Sequence, residues 1–540
     1  MNLRHRTPSL FATNAVLLAL GLLAGPGYSQ QRKPKDAIRH VVIIFDENVS
    51  FDHYFATYPN ALNPPGEPPF HALPGTPQVD GLSGKLLTEN PNFLNKENGA
   101  GAANPFRLSR AQASTTDQSH SYMPEQLAFH GGKMDLFPKS VGRADNPEVP
   151  GDKHGIPSTA GLVMGYFDGN TVTAFWNYAQ HFAMSDRQFD VTFGPSTPGV
   201  INLISGQTNG AINDQNAASV LDADGSGGFT LIADPDPFGD RCSSPAATQV
   251  HMTGPNIGNL LTRANVRWGF FQGGFDLTST NPNGTSGCHR TTAGHSQLLK
   301  VDYIAHHEGF QYFPSTANPQ HTRPSSVKAI GSNNDGGANH QYDLHDFFDA
   351  VKAGNFPAVS YLRAPGYQDG HAGYSNPLDE QTFVVNTINF IQQQKDWEHT
   401  AIIIAYDDSD GWYDHVMGKI VNGSQSPLDA LDGPGKCGTA PALPGVNPTT
   451  VHAQGRCGFG PRLPLLVISP WAKANYVDHT VTDQTSTLRF IEDLFLNGQR
   501  LGAGSFDAQS GSIEGMFDFS SARPKNTKKL ILDPATGEVK

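Results

Sequence analysis

The sequence contains few cysteines, with four in 540 residues at Cys242, Cys288, Cys437 and Cys457. No two of them have the Cys-x-x-Cys spacing, which argues against a structural zinc site. An even number of cysteines predicts disulfides in a chain that is exported. Pairing of sequence neighbours gives Cys242–Cys288 and Cys437–Cys457, but the sequence alone leaves three pairings open.

Long hydrophobic runs are also absent, apart from one near the N-terminus that is too short to cross a bilayer. This run covers residues 15–24 and follows basic residues, and Gly27 and Ser29 fit the −3 and −1 positions of a cleavage site. We predict a signal peptide over residues 1–29 and a secreted or periplasmic protein. The lack of a twin-arginine pair favours the general secretion route.

Basic residues are outnumbered, because 37 Lys and Arg stand against 50 Asp and Glu and give a formal net charge of −13. An acidic surface argues against nucleic acid as the main partner and disfavours tight binding to anionic membranes. No repeat and no block of like charge divides the chain. The oligomeric state cannot be read from the sequence.

Short apolar runs recur along the chain, and polar residues follow each of them. The runs cover residues 40–45, 358–362, 400–406 and 463–468. Helical periodicity of the i, i+3, i+4, i+7 type appears between or after them, in 344–351, 379–394 and 488–495. Strands that alternate with helices predict an α/β fold with a largely parallel sheet covered on both faces.

Residues 205–335 differ in composition, being rich in Gly, Asn, Asp, Ser and Pro. We interpret them as a loop-rich insertion or cap beside the sheet. One main domain is predicted over residues 30–522, and residues 523–540 form a polar C-terminal tail that is expected to pack loosely.

Two of the apolar runs end in clusters of side-chain oxygens. Glu47 and Asn48 follow the first run, and Asp407 and Asp408 follow the run over 400–406. Ligands of open α/β sheets bind at the carboxyl ends of strands, and adjacent carboxylates repel each other unless a cation neutralises them. Each cluster alone is explained as well by an acidic turn, but together they predict a cradle for one hard divalent cation.

Ser196 is the candidate nucleophile, because Gly and Pro on both sides hold it on a stiff turn over residues 193–199. A simple turn is the commoner explanation of such a string, and a serine needs a base or a metal for activation. Several histidines in distinctive settings could bind an anionic ester and protonate its leaving group, namely His120, His306, His307 and His371. Spacing alone does not show that they converge.

In chain order these motifs resemble those of the secreted bacterial phospholipase C and acid phosphatase family of phosphoesterases, within the alkaline-phosphatase-like superfamily. The matching segments span nearly the whole mature chain: 45–55, 117–137, 194–198, 306–307, 370–376, 406–415 and 462–471. The resemblance implies a three-layer α/β/α sandwich with a phosphoesterase catalytic domain over residues 30–522 and one metal site. It assigns metal binding to Glu47, Asn48, Ser196, Asp407 and Asp408.

The same resemblance makes Ser196 the nucleophile and places His120, His306, His307 and His371, with Asn48, around the phosphate. Asp414 and His415 belong to the motif that contains Asp407, with a less defined role.

Several features favour the acid phosphatase branch of the family. Phospholipases C often carry a second histidine six residues after the one that matches His120, and this position is Gln126 here. They also often have a threonine where this chain has Ser196, and the larger ones append C-terminal β-domains, whereas this chain ends soon after the motifs.

We therefore expect a secreted acid phosphatase that cleaves phosphomonoesters through a phosphoserine. One alternative is a phospholipase C acting on phosphatidylcholine-like diesters, which exposed apolar residues around the site would support; Phe270 and Phe271 are candidates for these, with burial in the core as the other interpretation. The other is an inactive exported metal-binding protein. The oxygen ligands favour calcium, magnesium or manganese, with zinc as an alternative. If several histidines must be cationic to bind phosphate, activity should peak on the acid side.

Overall fold

A computed structural model of the chain describes residues 33–145, 157–439 and 454–540. The predicted signal peptide over residues 1–29 lies outside the described residues. The α-helices are Pro34–Ala37 (α1), Phe51–Phe55 (α2), Lys85–Thr88 (α3), Pro91–Leu94 (α4), Tyr122–Phe129 (α5), Phe137–Ser140 (α6), Thr173–His181 (α7), Ser196–Ser205 (α8), Ile257–Arg263 (α9), Leu344–Lys352 (α10), Pro377–Gln392 (α11) and Gln484–Phe495 (α12). The last three coincide with the periodic segments of the sequence, which confirms those helices.

The strands are short except for those at the centre of the fold. They are His40–Asp46 (β1), Phe106–Arg107 (β2), Gly165–Tyr166 (β3), Ala183–Phe189 (β4), Asn209–Gln215 (β5), Leu221–Ala223 (β6), Phe229–Leu231 (β7), Asp236–Pro237 (β8), Gln249–Met252 (β9), Trp268–Gln272 (β10), Thr291–Ala293 (β11), Leu299–Val301 (β12), Gln341–Asp343 (β13), Val359–Arg363 (β14), Thr400–Tyr406 (β15), Arg462–Ile468 (β16), Tyr476–Asp478 (β17) and Thr482–Asp483 (β18).

A nine-stranded sheet organises the molecule, with the order β13-β10-β14-β1-β15-β16-β4-β17 and with β18 paired to β4. All neighbouring strands are parallel except that β16 runs antiparallel to both β15 and β4. Strand β15 is buried along its whole length, and β1 is buried after its first residue. A strand covered on both faces explains these unbroken apolar runs. The predicted α/β class with a mainly parallel central sheet is confirmed.

The topology gathers the polar strand ends at one edge of this sheet. Strands β14, β1 and β15 are parallel neighbours, so their carboxyl ends lie side by side. Strand β16 is antiparallel, so it begins at this edge with Arg462. Glu47, Arg363 and Asp407 are therefore brought together although they are far apart in the sequence.

Residues 205–335 contain more than the predicted insertion. They hold a second sheet of five strands, ordered β6-β7-β5-β9-β8, but also β10, which belongs to the central sheet. Phe270 and Phe271 lie in β10 and are only 1 % and 0 % exposed. They are core residues, so the suggestion that they are exposed around the site is wrong and the core interpretation is confirmed.

The C-terminal tail also differs from expectation, because residues 523–540 include two apolar anchors. Leu530 and Leu532 are 6 % and 0 % exposed. Gln392 and Asn389 of α11 hydrogen-bond to the backbone of these two leucines. The expectation of loose packing is therefore wrong for this part of the tail.

The disulfides pair sequence neighbours, Cys242 with Cys288 and Cys437 with Cys457. Among the described residues, no helix is both long enough and apolar enough to pass through a bilayer.

Candidate active site

The end of β1 turns sharply at Asn48. This residue has a φ of +58°, in the left-handed region that asparagine adopts more readily than most residues. The turn directs its backbone N–H to Asp407 Oδ1, at 3.1 Å. The end of β1 is thereby joined to the end of β15.

The Ser196 hydroxyl lies at the centre of a cluster of side-chain oxygens. Its Oγ is 3.0 Å from Glu47 Oε2, 3.0 Å from Asp408 Oδ2 and 3.3 Å from Asn48 Oδ1. These four side chains, which we call the oxygen cluster, belong to residues that are at most 2 % exposed. The structure thus brings together the predicted nucleophile and three of the four predicted strand-end ligands.

Helix α8 carries Ser196 and reaches the end of β15 because residue 199 is glycine. A Cβ atom at Gly199 would lie 2.1 Å from the carbonyl oxygen of Asp407. Any larger residue would separate the helix from the strand, and Ser196 would move away from Asp408.

Asp407, the remaining predicted ligand, already has hydrogen-bond donors on both oxygens. Its Oδ1 accepts from the backbone N–H of Asn48, at 3.1 Å, and of Asp408, at 2.9 Å. Its Oδ2 accepts from Arg363 at 2.8 Å. Asp407 therefore orients the two strand ends, whereas Asp408 presents an oxygen to Ser196.

Arg363 is a site residue that motif reasoning did not select. It ends β14, is fully buried, and forms ion pairs with both Glu47 and Asp407. It also donates to the carbonyl oxygen of Phe45 at 3.0 Å. Its signal in the sequence was an arginine directly after the apolar run over 358–362.

The single positive charge of the Arg363 guanidinium does not neutralise the three carboxylates of Glu47, Asp407 and Asp408. Burial raises the pKa of Asp408 well above its ordinary value, and repulsion from Asp407 raises it further. Burial also raises the pKa of Asp407, although Arg363 opposes this. Buried carboxylates with raised pKa values are stabilised as anions by an additional cation.

The Asn48 amide gives an independent test of whether a cation fits. With its oxygen inward, the amide oxygen faces the carboxylates of Glu47 and Asp407, and its one donor is the Ser196 hydroxyl, at 3.3 Å. Turned over, its nitrogen donates to Asp407 Oδ1 at 3.2 Å and to Glu47, and its oxygen accepts from His371 Nε2 at 3.1 Å. The inward-oxygen arrangement fits a hard divalent cation.

His307 lies against the oxygen cluster. Its Nδ1 is 3.1 Å from Glu47 Oε1 and 4.0 Å from Asp369 Oδ2. Ligand atoms of Glu47, His307 and Asp369 lie within 4.8 Å of one another. His306 is half-buried and stands edge-on to His307, with ring centroids 4.5 Å apart, so it adjoins this histidine.

His120 and His371 lie on the partly exposed side of the site, with ring centroids 5.9 Å apart. His120 Nδ1 is 3.0 Å from Asp410 Oδ1 and 3.7 Å from Asp117 Oδ1. Neither aspartate was singled out from the sequence, although both lie in segments that carried the family resemblance.

The histidines differ in charge. Burial lowers the pKa of His371 to about 3 and that of His307 well below its ordinary value. Burial also opposes the charged form of His120, but Asp408, Asp410 and Asp117 raise its pKa well above the ordinary value. These shifts favour the charged form of His120 and the neutral forms of His307 and His371, and an acid-side optimum stays a prediction.

Helix α5 links the two loops that carry Ser196 and Asp408. Glu125 Oε2 accepts from Gly194 N at 3.0 Å, and Glu125 Oε1 accepts from Ser409 Oγ at 2.7 Å. Glu125 is only 1 % exposed, and burial raises its pKa to about 7. Sequence reasoning missed this residue because its role depends on contacts across the fold.

Gln126, the neighbour of Glu125, faces elsewhere. Its Oε1 accepts from the backbone N–H groups of Ala430 and Leu431, at 2.9 and 3.2 Å. Gln126 therefore holds the loop at 430–431 in this structure.

Asp414 and His415 lie in a buried ion network beside the oxygen cluster. Arg462 contacts Asp414 at 3.1 Å and Asp52 at 3.0 Å, and His415 Nδ1 is 2.6 Å from Asp52. Burial opposes the charge of His415, but Asp52 raises its pKa to about 9. The network ties α2 to the start of β16.

Comparison with known proteins decides the family. The Phosphoesterase family matches residues 38–496 of the chain. The chain belongs to the Phosphoesterase family. This membership confirms the resemblance that the motifs indicated.

Named relatives of this phosphoesterase are phospholipases C. It is 23 % identical over 490 residues to the non-hemolytic phospholipase C of Pseudomonas aeruginosa, covering 88 % of this chain and 56 % of that one. It is 24 % identical over 497 residues to the non-hemolytic phospholipase C of Burkholderia pseudomallei, covering 90 % and 59 %. It is 25 % identical over 505 residues to phospholipase C B of Mycobacterium tuberculosis, covering 92 % and 80 %. The chain thus spans little more than half the length of the first two.

A solved structure of an alkaline phosphatase superfamily protein from Vibrio parahaemolyticus aligns at 10 % identity over 77 % of this chain and 76 % of that one. Its TM-score of 0.25 is too low for an inference about this phosphoesterase. The family and its phospholipase relatives support phosphoric ester hydrolysis as the chemistry of the site.

Proposed function

We propose that this protein is an exported, metal-dependent phosphatase that transfers the phosphoryl group of a phosphomonoester to Ser196. The proposal rests on one observation. Side-chain oxygens of Glu47, Asn48 and Asp408 lie 3.0–3.3 Å from Ser196 Oγ. The single hydroxyl proton can satisfy only one of these three buried oxygens at a time, and a bound cation would partner the others.

The oxygen cluster would hold one divalent cation, with calcium, magnesium or manganese favoured over zinc by the oxygen ligands. Asp407 would support the site by orienting its neighbours. When bound, such a cation lowers the pKa of a coordinated hydroxyl and holds a phosphoryl oxygen in place.

The side chains of the protein account for the proton movements. Glu47 and Asp408 each lie 3.0 Å from Ser196 Oγ, so either carboxylate can take the hydroxyl proton. The Oγ–P bond forms while the bond from phosphorus to the leaving oxygen breaks, and His120 gives that oxygen its proton. Water then cleaves the phosphoserine, which releases phosphate and restores Ser196. His307 and His371 would line the phosphoryl pocket as neutral side chains, since their Nδ1 atoms face Glu47 Oε1 and the carbonyl oxygen of Ala372.

A monoester is the substrate that the charges favour. Its terminal phosphoryl group carries two negative charges at neutral pH, against one for a diester. Cationic His120 beside a divalent cation attracts the more highly charged group. Export is supported by the signal-like sequence over residues 1–29 and by the two disulfides.

A second candidate is a phospholipase C that cleaves phosphodiesters such as phosphatidylcholine. It is favoured by the names of the relatives, which are phospholipases C over most of this chain. The two candidates share the oxygen cluster and differ in the group that leaves.

Hydrolysis of p-nitrophenyl phosphate, p-nitrophenylphosphorylcholine and phosphatidylcholine separates these candidates. Each substrate is assayed after chelation and after return of calcium, magnesium, manganese or zinc. We expect the monoester to be preferred, and Ser196→Ala to lower its turnover by about 10⁴-fold or more. Preference for the choline esters would instead support the phospholipase.

Ser205→Ala is the matched control, because Ser205 lies in the same helix and its hydroxyl donates to the carbonyl of Gln207, at 2.9 Å. Mass spectrometry of acid-quenched enzyme should detect phosphate on Ser196. Full activity of Ser196→Ala would refute the mechanism. Inactivity on every ester with every metal, in a folded protein, would favour an inactive metal-binding protein.

A further inference from the structure

A lysine beside the site has an ammonium group without an anionic partner. Lys300 lies in β12 and is half-buried, with Nζ 3.4 Å from the centroid of the Tyr374 ring. Within the described parts of the chain, no carboxylate forms an ion pair with it and no acceptor hydrogen-bonds to it. An ammonium has three N–H donors, and an aromatic face satisfies them poorly.

Two stacked rings connect this lysine to the oxygen cluster. The Tyr374 ring stacks on the His371 ring at 4.5 Å with an interplanar angle of 22°. His371 Nε2 in turn lies 3.1 Å from the amide of Asn48. The positive charge of Lys300 also lowers the pKa of His307 and His371, although burial is the larger cause.

The nearest carboxylates have other partners. Asp117 pairs with Arg143 at 3.2 Å and faces His120. Asp369 Oδ2 accepts from the Tyr374 hydroxyl at 3.1 Å. Both attract Lys300 at longer range, which opposes the effect of burial on its pKa. The N–H donors of Lys300 are therefore available to a ligand.

We propose that Lys300 binds a second anionic group of the substrate, a phosphate or carboxylate carried by the leaving group. This inference rests on the proposed function, because it requires a phosphoryl group at Ser196. The second anionic group would lie at the Tyr374 ring, where the Lys300 ammonium is placed. A choline group at the same place would meet a like charge, so Lys300 selects for doubly anionic esters.

Ligands that are not hydrolysed test this directly. A series of ω-phosphonocarboxylic acids with linkers of increasing length is compared with the methyl esters of their carboxylates, by calorimetry on the metal-loaded full-length protein. At the best linker length, the acid should bind the wild-type protein about 10- to 100-fold more tightly than its ester, as expected for a hydrogen bond between charged groups.

Substitution of Lys300 should remove this preference. In Lys300→Met the ratio of acid to ester affinity should fall close to one, and in Lys300→Arg it should largely remain. The matched control is Lys473→Met, because the Lys473 ammonium also lies over a tyrosine, Tyr476, at 4.2 Å. This pair lies at the opposite edge of the sheet, where β16 ends and β17 begins, so the ratio should not change.

An unchanged ratio in Lys300→Met would overturn the inference, and so would equal weakening of acid and ester, which would indicate that Lys300 only supports Tyr374. Thermal unfolding of each variant checks the fold, and Lys300→Gln provides a second neutral side chain. If neither acid nor ester binds the wild-type protein with any of the four cations, the proposed function fails, and the inference fails with it.

Discussion

At the scale of single residues, similar side chains have different charges because their neighbours differ. His371 and His120 lie 5.9 Å apart by ring centroid, yet burial dominates in His371 while three carboxylates dominate in His120. The surroundings thus determine which histidine is the proposed proton donor, and changing one carboxylate should change the pKa of His120.

Asp117→Asn should lower the pKa of His120, because it removes a negative charge 3.7 Å from His120 Nδ1. The imidazolium would then lose its proton at lower pH, so the alkaline limb of the kcat profile should shift down by about half a unit to one unit. Asp135→Asn is the control, since it removes the partner of His130, at 2.8 Å, and should leave the profile in place. An unmoved alkaline limb in Asp117→Asn would refute His120 as the acid.

Arg363→Met should destabilise the fold, because it removes the cation that pairs with two buried carboxylates. Loss of the guanidinium leaves Glu47 and Asp407 without their cationic partner, which typically destabilises by about 3–5 kcal/mol. We expect urea denaturation to show this loss in chelator and to show partial recovery when calcium or manganese is added.

Arg456→Met is the control for that experiment. Arg456 is equally buried, but it donates to the carbonyl groups of Gly504 and Gly206, and none of the described residues pairs a carboxylate with it. Its loss should be destabilising and insensitive to the cation. Equal recovery of both variants would contradict the role of Arg363 at the metal site.

At the scale of elements, the site depends on how the ends of β1, β15 and α8 are held together. Glu125 of α5 supplies one such link, because it hydrogen-bonds the loop before α8 and the loop after β15. The residue is a positioning residue, since it contacts Gly194 and Ser409 rather than the oxygen cluster itself.

Glu125→Ala should lower kcat by about 10²-fold with a smaller change in KM, because a misplacement of about 1 Å is sufficient for such a loss. Glu125→Gln should recover much of this activity, since its amide can accept from Gly194 N–H and donate to Ser409 Oγ. Gln126→Ala is the control, because Gln126 holds the 430–431 loop and should affect stability more than kcat. If Gln at position 125 were as inactive as Ala, a positioning role would be ruled out.

At the scale of the whole molecule, buried histidines make stability depend on pH. Burial lowers the pKa of His53 from 6.5 to about 3. Below pH 6.5 the unfolded chain therefore binds a proton that the folded chain does not, and stability falls as pH decreases, by about 2 kcal/mol at pH 5 for this group.

His53→Gln should weaken this dependence, because glutamine does not titrate and its amide can donate to the carbonyl of Gly165, which now lies 2.8 Å from His53 Nδ1. Urea denaturation between pH 6.5 and 4 should show that the unfolding free energy of the variant depends less steeply on pH than that of the wild-type protein. The difference in slope should correspond to about one proton taken up on unfolding. His181→Gln is the control, since His181 is half-buried and also bonds a backbone carbonyl, that of Asn177, at 2.8 Å. A slope in His53→Gln equal to that of the wild-type protein would contradict the prediction.

The sequence predicted what depends on local pattern. Unbroken apolar runs located β1 and β15, and the polar residues after them indicated Glu47, Asn48, Asp407 and Asp408. Arg363 and Glu125 were missed because their roles arise from contacts between segments far apart in the chain. The polar composition of residues 205–335 predicted an insertion beside the sheet. It gave no indication of β10, which is a strand of the central sheet within this segment.

The register between β1 and β15 makes activity a measure of correct folding. Each residue from His40 to Asp46 pairs with one from Thr400 to Tyr406, so the oxygen cluster begins one step beyond the last pair. A slip of one residue would reverse the faces of every side chain in β1 and separate Glu47 from Asp408. Refolded material could then regain its circular dichroism and compact size without hydrolysing any ester. Specific activity would therefore measure the fraction of molecules in which β1 and β15 pair in the native register. Spectroscopy of secondary structure does not distinguish these molecules from those with a slipped register.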